Sequence, residues 1–380
     1  MVWGITMGIG VKRNEKCWCG SGRKFKLCHL ARESQAPIKE WEAEKAFRDE
    51  FRKPTCSAPA VWQPHCSGRI IRAHTVPRSG SLNHIARNGH VYAFIPTIEN
   101  LSKNAGKLDP VLVGVRSAST FTGFCSVHDD AIFAPVEKVP FTASPEQCFL
   151  LGYRAMARER YTKESSARMS PFRRLADRGK GVGRQIEVQT LNQLFEYGLA
   201  AGLRDTLAQM EGYASRLMAG DYGDIRAYVI ETVDPPPVMC SAGWLPSSDF
   251  DGNELQDIAA PERLAAMTVT SMWGGVRGAV VFQWFAEDDD VCRRFVDSLD
   301  RIDDTGVGAA LVRLMFEHFE NVHISPDWWE ALPGLAKAAL VDRMARSANM
   351  FAKQLDKPLV DDSLELPEWK IAGRFTVGYK

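Results

Sequence analysis

Apolar and polar positions along the chain alternate with two different periods, and the change of period marks its organisation. Arg69–His74, His90–Ile95 and Val111–Val115 cluster β-branched and aromatic residues and predict strands. Ser144-Pro145-Glu146-Gln147 predicts a helix start, with serine as N-cap, proline in the first turn and glutamine three residues on as a capping box. Residues 145 to about 220 then follow a helical period, as in Leu191, Leu194, Phe195, Leu199 and Leu203. From Ile225 the period shortens again. Ile225–Val233, Val238–Ala242, Ala266–Met272 and Ala279–Phe285 predict strands, bounded by Pro235-Pro236-Pro237, Asp251-Gly252 and Gly274-Gly275. Helices return at Asp290–Leu299, at Gly308–Phe319 and after Ser325-Pro326. Nearer the start, Ile38–Arg52 reads as a short charged helix that Pro54 ends.

The sharpest chemistry precedes that helix. Cys17-Trp-Cys19-Gly-Ser-Gly-Arg-Lys-Phe-Lys-Leu-Cys28-His29 brings three cysteines and one histidine into one short run. Four such ligands complete a closed tetrahedral zinc shell. Gly20-Ser21-Gly22 lets the chain turn back so that Cys28 and His29 reach the same ion. The run resembles the SEC-C motif, a short zinc module appended to many unrelated proteins. The resemblance implies a metal and a protein partner for the module, but no catalytic role.

Composition narrows the picture only a little. The 380 residues carry 47 basic and 47 acidic side chains, so no global charge favours nucleic acid or membrane. No apolar run approaches the roughly 18 residues that cross a bilayer. The opening Met1–Gly10 is apolar but short and lacks a basic leader, so it is not read as a signal peptide. Nine cysteines, most in metal-ligand spacings, point to a reducing cytoplasm rather than to disulfides. Cys148, Cys240 and Cys292 fall outside those spacings and read as buried core residues.

A second constellation is more dispersed: Cys56, His65, Cys66, His74, then Cys125-Ser-Val-His128-Asp129-Asp130. Cys56 and Cys66 with Cys125 and His128 make a second four-ligand zinc set, in which His65 could replace Cys66. Ala73-His74-Thr-Val-Pro77 and Phe124-Cys125-x-x-His128-Asp129 together resemble the HNH nucleases, the treble-clef ββα-metal family. His128 stands where that family usually has cysteine, and Asp129 where it has histidine. The resemblance implies His74 as the base that activates water and Asp129 as the ligand of a catalytic Mg2+ or Mn2+ ion. It leaves the family's middle asparagine open among Asn83, Asn88, Asn100 and Asn104. A neutral imidazole can take a proton near neutral pH, and a divalent ion would offset charge on the scissile phosphate. His84 and His90 read as a surface and a strand histidine, with Gly89 closing a short helix between them.

Between Arg154 and Arg184 ten basic residues face three acids, with Tyr153, Tyr161 and Phe172 interleaved. Such a local surplus, with Arg78, Arg158, Arg173, Arg174 and Lys180 as contact residues, is the footprint expected of nucleic-acid binding, DNA before RNA. Gly179-Lys-Gly-Val-Gly183 lacks the Walker spacing and reads as a flexible joint, and Glu287–Asp290 reads as a solvated helix start. Glu317–His323 lacks the zinc-protease spacing and reads as the end of a core helix.

The composite expectation is an α+β chain of five segments: a zinc module at 12–36, a helical connector at 37–53, a treble-clef ββα-metal-like domain at 54–140, a basic helical region at 144–222 and a C-terminal α+β domain at 223–380. Its expected activity is that of a metal-dependent endonuclease, with an architecture similar to bacterial defence or mobile-element effectors. The alternative is a non-catalytic zinc-dependent adaptor that binds nucleic acid or protein. One or two structural Zn2+ ions are expected, and no membrane.

Overall fold

The computed structural model describes residues 10–77, 81–95, 100, 108–260, 262–348, 352–353 and 355–379. Arg78 and Asn104 lie outside the described residues, as do Met1–Ile9. The chain forms two compact units, each drawn from two stretches of sequence: Met1–Lys53 with Thr162–Arg204, and Pro54–Tyr161 with Asp205–Lys380. Two of the divisions fall inside the helices Pro145–Arg168 and Val182–Ala219, which continue from one unit into the other.

The first unit holds the charged helix Glu40–Phe51, the short helix Ser170–Arg173 and parts of the two long helices. Its interior is unusual. Cys17, Cys19 and Met169 are its buried apolar residues among those described, beside buried His29, Arg32, Ser165, Asp177, Gln185 and Gln189. Gly179, expected to be a flexible joint, has φ +72° and donates its N–H to the Arg32 carbonyl at 3.1 Å. It is a hydrogen-bonded turn that ends just before the helix from Val182.

The second unit is built on an eight-stranded sheet in the order β10-β5-β8-β7-β6-β9-β2-β3. Its strands are β2 (His90–Phe94), β3 (Pro110–Gly114), β5 (Ile225–Thr232), β6 (Val238–Trp244), β7 (Met267–Trp273), β8 (Gly278–Phe285), β9 (Val322–Ile324) and β10 (Ile371–Val377). Every neighbouring pair runs antiparallel. One face, with Ile230, Val269 and Phe282, packs on Phe295, Leu311 and Phe316 of the helices Asp289–Asp300 and Val307–His318. The opposite face, with Ala227, Val229 and Val281, packs on Phe149, Tyr153 and Tyr213 of the two long helices. Covering both faces explains why β8 reads as a continuous apolar run, all eight residues buried, rather than as an alternation.

Beside this sheet, β1 (Ile70–His74) and β4 (Thr120–Cys125) form a separate antiparallel pair that runs directly into the helix Ser126–Glu137. The long stretch between His74 and Cys125 has a purpose: it supplies β2 and β3, extending the large sheet by two strands. His90 begins β2 as the sequence predicted, but the short helix ends at Ile85 with Ala86 as its cap, so Gly89, at φ +73°, sits in the Arg87–His90 turn and does not close the helix.

Several expectations shift. The helix before Asn321 ends at His318, and His323 lies within β9, between Met239 of β6 and Ala93 of β2. Ser144 Oγ caps the Gln147 N–H at 3.2 Å, but the Gln147 side chain binds the Thr142 N–H and the Pro135 and Pro140 carbonyls instead of closing the box. In the acidic run, Asp288 is buried against Arg263 at 2.6 Å, and Asp289 accepts from Trp284 and Tyr379. A run that looks like a solvated helix start is half structural.

Gly152 marks a close approach of helix to sheet. A Cβ there would stand 1.9 Å from Gln283 Oε1 and 2.5 Å from the Tyr213 hydroxyl. Gly152→Ala should therefore destabilise the second unit by about 1–3 kcal/mol, despite alanine's better helix propensity. A denaturant midpoint at or above that of the wild type would contradict this close packing.

Candidate metal centres

The first centre is assembled by a local fold that the sequence dictates. Gly20 and Gly22 adopt φ +73° and +71°, a conformation that disfavours side chains. The Cys17 N–H donates to the Arg23 carbonyl at 2.7 Å, closing the turn, and the tight turn Phe25–Leu27 then delivers Cys28 and His29. The His29 Nδ1 lies 3.1 Å from Cys17 Sγ, and Cys19 Sγ lies 3.6 Å from Cys28 Sγ. All four ligand atoms fall within 4.8 Å of one another. Zinc–sulfur and zinc–nitrogen bonds at tetrahedral angles give ligand separations of about 3.5–3.8 Å, so the donor set and spacing fit zinc.

What holds this shell is remote in sequence. His29 Nε2 donates to Asp177 Oδ2 at 2.7 Å, and Asp177 is fully buried. Arg32 Nε reaches the other carboxylate oxygen at 2.6 Å, and Gln189 Nε2 reaches Oδ2 at 2.7 Å. Burial alone would raise the Asp177 carboxyl, but the hydrogen bonds from His29, Arg32 and Gln189 hold it below the usual carboxylate range. A carboxylate behind a ligating imidazole fixes its tautomer and ring orientation. Here it commits Nδ1 to the metal. Without the metal, Cys19 is held strongly toward thiolate by its hydrogen bond with Cys17, whose own thiol is pushed up by that bond.

The second centre joins Cys56 and Cys66, which precede β1, to Cys125 at the end of β4 and His128 in the first turn of the next helix. The three sulfurs each lie 3.4 Å from His128 Nδ1. The four ligand atoms again fall within 4.8 Å of one another. Cys66, not His65, completes the group. The long spacing from Cys56 is folded by a turn over Ala60–His65, with Gln63 Nε2 donating to the Cys56 and Ala58 carbonyls at 2.9 and 2.8 Å. Backbone N–H groups of Cys125 and His128 point at the Cys56 and Cys125 sulfurs at 3.4 Å, and the His128 N–H helps hold the Cys125 thiol below its usual range despite burial. Four ligands fill each shell and leave no position for a reactive water.

The residues expected to carry catalysis have different surroundings. The β1–β4 register pairs Ile70 with Cys125 but His74 with Thr120. At ~3.3 Å per residue, His74 is about 13 Å along the strand from the zinc end. Its Nε2 lies 3.4 Å from the Val115 carbonyl. Asp129 faces Arg154, Glu137 and Asp130 instead. Burial raises its carboxyl, partly offset by Arg154, and its Oδ1 has no hydrogen-bond partner. Neither His74 nor Asp129 joins a group of three or more metal-ligating side chains among the described residues.

The expected nucleic-acid contacts have varied surroundings. Arg158 lies 3.4 Å from Glu159, and Arg173 donates to the Ser166 carbonyl and stacks over Phe195 at 4.4 Å. Arg174 pairs with Glu196 and donates to the Cys19 carbonyl at 3.0 Å. Arg154 pairs with Glu137, Arg168 with Glu50, and Arg184 with Glu187. Lys180 is exposed. Arg154, Arg168, Arg174 and Arg184 thus pair with acids outside the 154–184 run.

The SEC-C motif matches residues 13–31, the segment that encloses all four ligands of the first centre. No curated protein and no solved structure matches the chain. The chain therefore carries a SEC-C motif with a zinc-type Cys3His cluster, and a second cluster of the same composition. Among the described residues, no helix is long and apolar enough to cross a membrane.

Purified protein should contain two zinc ions per chain by elemental analysis, falling to one in His128→Ala. Asp177→Asn should weaken the first ion by about 10–100-fold in chelator competition and leave the second unchanged. Equal zinc affinity in that variant would remove Asp177 from the metal centre.

Proposed function

We propose that this chain is a zinc-dependent binding adaptor, with both metal centres structural and a protein as the preferred partner. The observation that carries this reading is closure: each centre spends four Cys and His ligands on itself. Asp129, the residue expected to hold a catalytic ion, is directed into a buried setting with Arg154 and Glu137. The engaged arginines weaken the case for a nucleic-acid footprint. Exposed apolar side chains on the first unit support a protein contact instead, among them Trp41 at 60%, Leu194 at 52% and Tyr197 at 81% exposure. Aromatic residues of this kind are enriched where proteins meet.

The HNH-like endonuclease remains the second reading, favoured by one specific feature. A two-stranded antiparallel pair runs into a helix, with a zinc-type cluster at the junction, as the resemblance implies. In that reading His74 activates water and Asp129 holds Mg2+ or Mn2+, within a defence or mobile-element effector.

Incubation of the zinc-loaded protein with plasmid DNA and with RNA, in Mg2+ and in Mn2+, separates the two. The expected outcome is no cleavage above a metal-free control. Metal-dependent cleavage that disappears in both His74→Ala and Asp129→Ala would replace the adaptor with the nuclease.

A further inference from the structure

The large sheet of the second unit has two edges, and they are finished differently. At one edge β10 breaks register between Ile371 and Gly373, and its Arg374 pairs with Asp304 at 2.6 Å. Bulges and charges of this kind keep an edge strand from pairing with another chain. At the other edge β3 reads Pro-Val-Leu-Val-Gly, with no charge and an unbroken register. Val111 and Leu112 stand 38% and 50% exposed there, which leaves an apolar edge open to solvent.

The ladder fixes which backbone groups of β3 are already used. β2 and β3 pair antiparallel, with His90 opposite Gly114 and Tyr92 opposite Leu112. One residue further on, the Val115 N–H donates to the Gly89 carbonyl at 3.0 Å. Backbone groups point to alternate sides along a strand, so those of Val111 and Val113 also face β2. Pro110, Leu112 and Gly114 therefore turn theirs outward, where the missing proline N–H costs the ladder nothing. The Gly114 carbonyl already accepts from the Ser117 and Ala118 N–H groups at 2.8 and 3.0 Å. What remains at the edge is the Leu112 N–H and carbonyl, the Gly114 N–H and the Pro110 carbonyl.

That set is its own complement. An antiparallel two-fold through Leu112 sets this residue against Leu112 of a second copy, and the two exchange N–H to carbonyl bonds in both directions. The same axis sets Gly114 against Pro110, so that each Gly114 N–H meets a Pro110 carbonyl. The one bond that proline cannot donate falls on the Gly114 carbonyl, which is already satisfied. Charge follows the same symmetry. Asp109 and Arg116 flank the strand at opposite ends, so the axis brings each carboxylate toward a guanidinium of the other copy. Both side chains are exposed, and among the described residues neither makes an ion pair.

We infer that β3 is a self-pairing edge, through which two copies of this chain join their sheets into one. The occupant is a second copy rather than an unrelated strand, because donors, acceptors and charges all match about one axis. Self-complementarity of this kind is what a two-fold interface requires. The inference goes beyond the adaptor reading and stands or falls independently of it.

Sedimentation velocity of the zinc-loaded full chain over a concentration series tests the pairing. A reversible dimer is expected, at twice the 42.3 kDa mass of the chain. Leu112→Lys sets like charges against each other at the axis and should weaken the dimer by about tenfold or more. Arg116→Glu should weaken it by about three- to tenfold, and adding Asp109→Lys to that variant should restore it. Hydrogen exchange should show the Leu112 and Gly114 amides protected in the dimer and exposed on dilution. If Leu112→Lys fails to fold, the exposed Arg116→Glu and its rescue by Asp109→Lys decide the matter. A wild type that stays monomeric leaves the edge to a strand of another protein and overturns self-pairing. A dimer that both Leu112→Lys and Arg116→Glu leave unchanged pairs through another surface and overturns it equally.

Discussion

The first unit depends on one buried contact, the hydrogen bond from His29 to Asp177. A domain interior normally consists of apolar side chains, and this one does not. Most of its buried members are metal ligands, a carboxylate and the amide and guanidinium groups that satisfy it, with Met169, Ser165 and Gln185 beside them. A buried carboxylate would be costly by itself, but three donors surround this one: the Arg32 guanidinium, the Gln189 amide and the imidazole of His29. The zinc shell and the polar network are consequently a single device. Ligation orients His29, His29 hydrogen-bonds Asp177, Arg32 neutralises it, and Asp177 ties the motif to residues more than a hundred positions away.

The second unit solves the same problem in the ordinary way and uses metal only at its margin. Its sheet is buried on both faces, and its strands carry apolar residues in both directions. The β1–β4 pair is too small to bury a core of its own. Its zinc-type cluster joins the chain before β1 to the start of the following helix, and the insertion between the strands is absorbed by the large sheet as β2 and β3. Ser81 Oγ bonds the Trp273 backbone there, and Val91 is fully buried, so these parts of the insertion pack into the second unit.

The arginines illustrate how a linear charge count misleads. Arg154, Arg168 and Arg174 contribute to a basic run in the sequence, but each meets a glutamate from another segment: Glu137, Glu50 and Glu196. Arg154 is almost wholly buried and lies 4.0 Å over the Phe133 ring. Charge density along a chain measures what must be neutralised. Whether a phosphate or a carboxylate does so is decided by what folds beside it.

The sequence by itself determined what is local. The ligands Cys17, Cys19, Cys28 and His29 lie within one turn-sized stretch, so spacing and two glycines were enough to define the shell. The strands at 70–74, 90–94 and 225–232 and the helix start at Pro145 follow from period and capping, which also act over a few residues. Only the tertiary structure decided which of Cys66 and His65 completes the second shell, that Asp177 and Gln189 stand behind the first, and that His74 and Asp129 have different neighbours. It also revealed β9 and β10, short or late strands that acquire their identity from the edges they join. These features depend on contacts between residues far apart in sequence. No local pattern of hydrophobicity, charge or spacing encodes which distant segment will supply the partner.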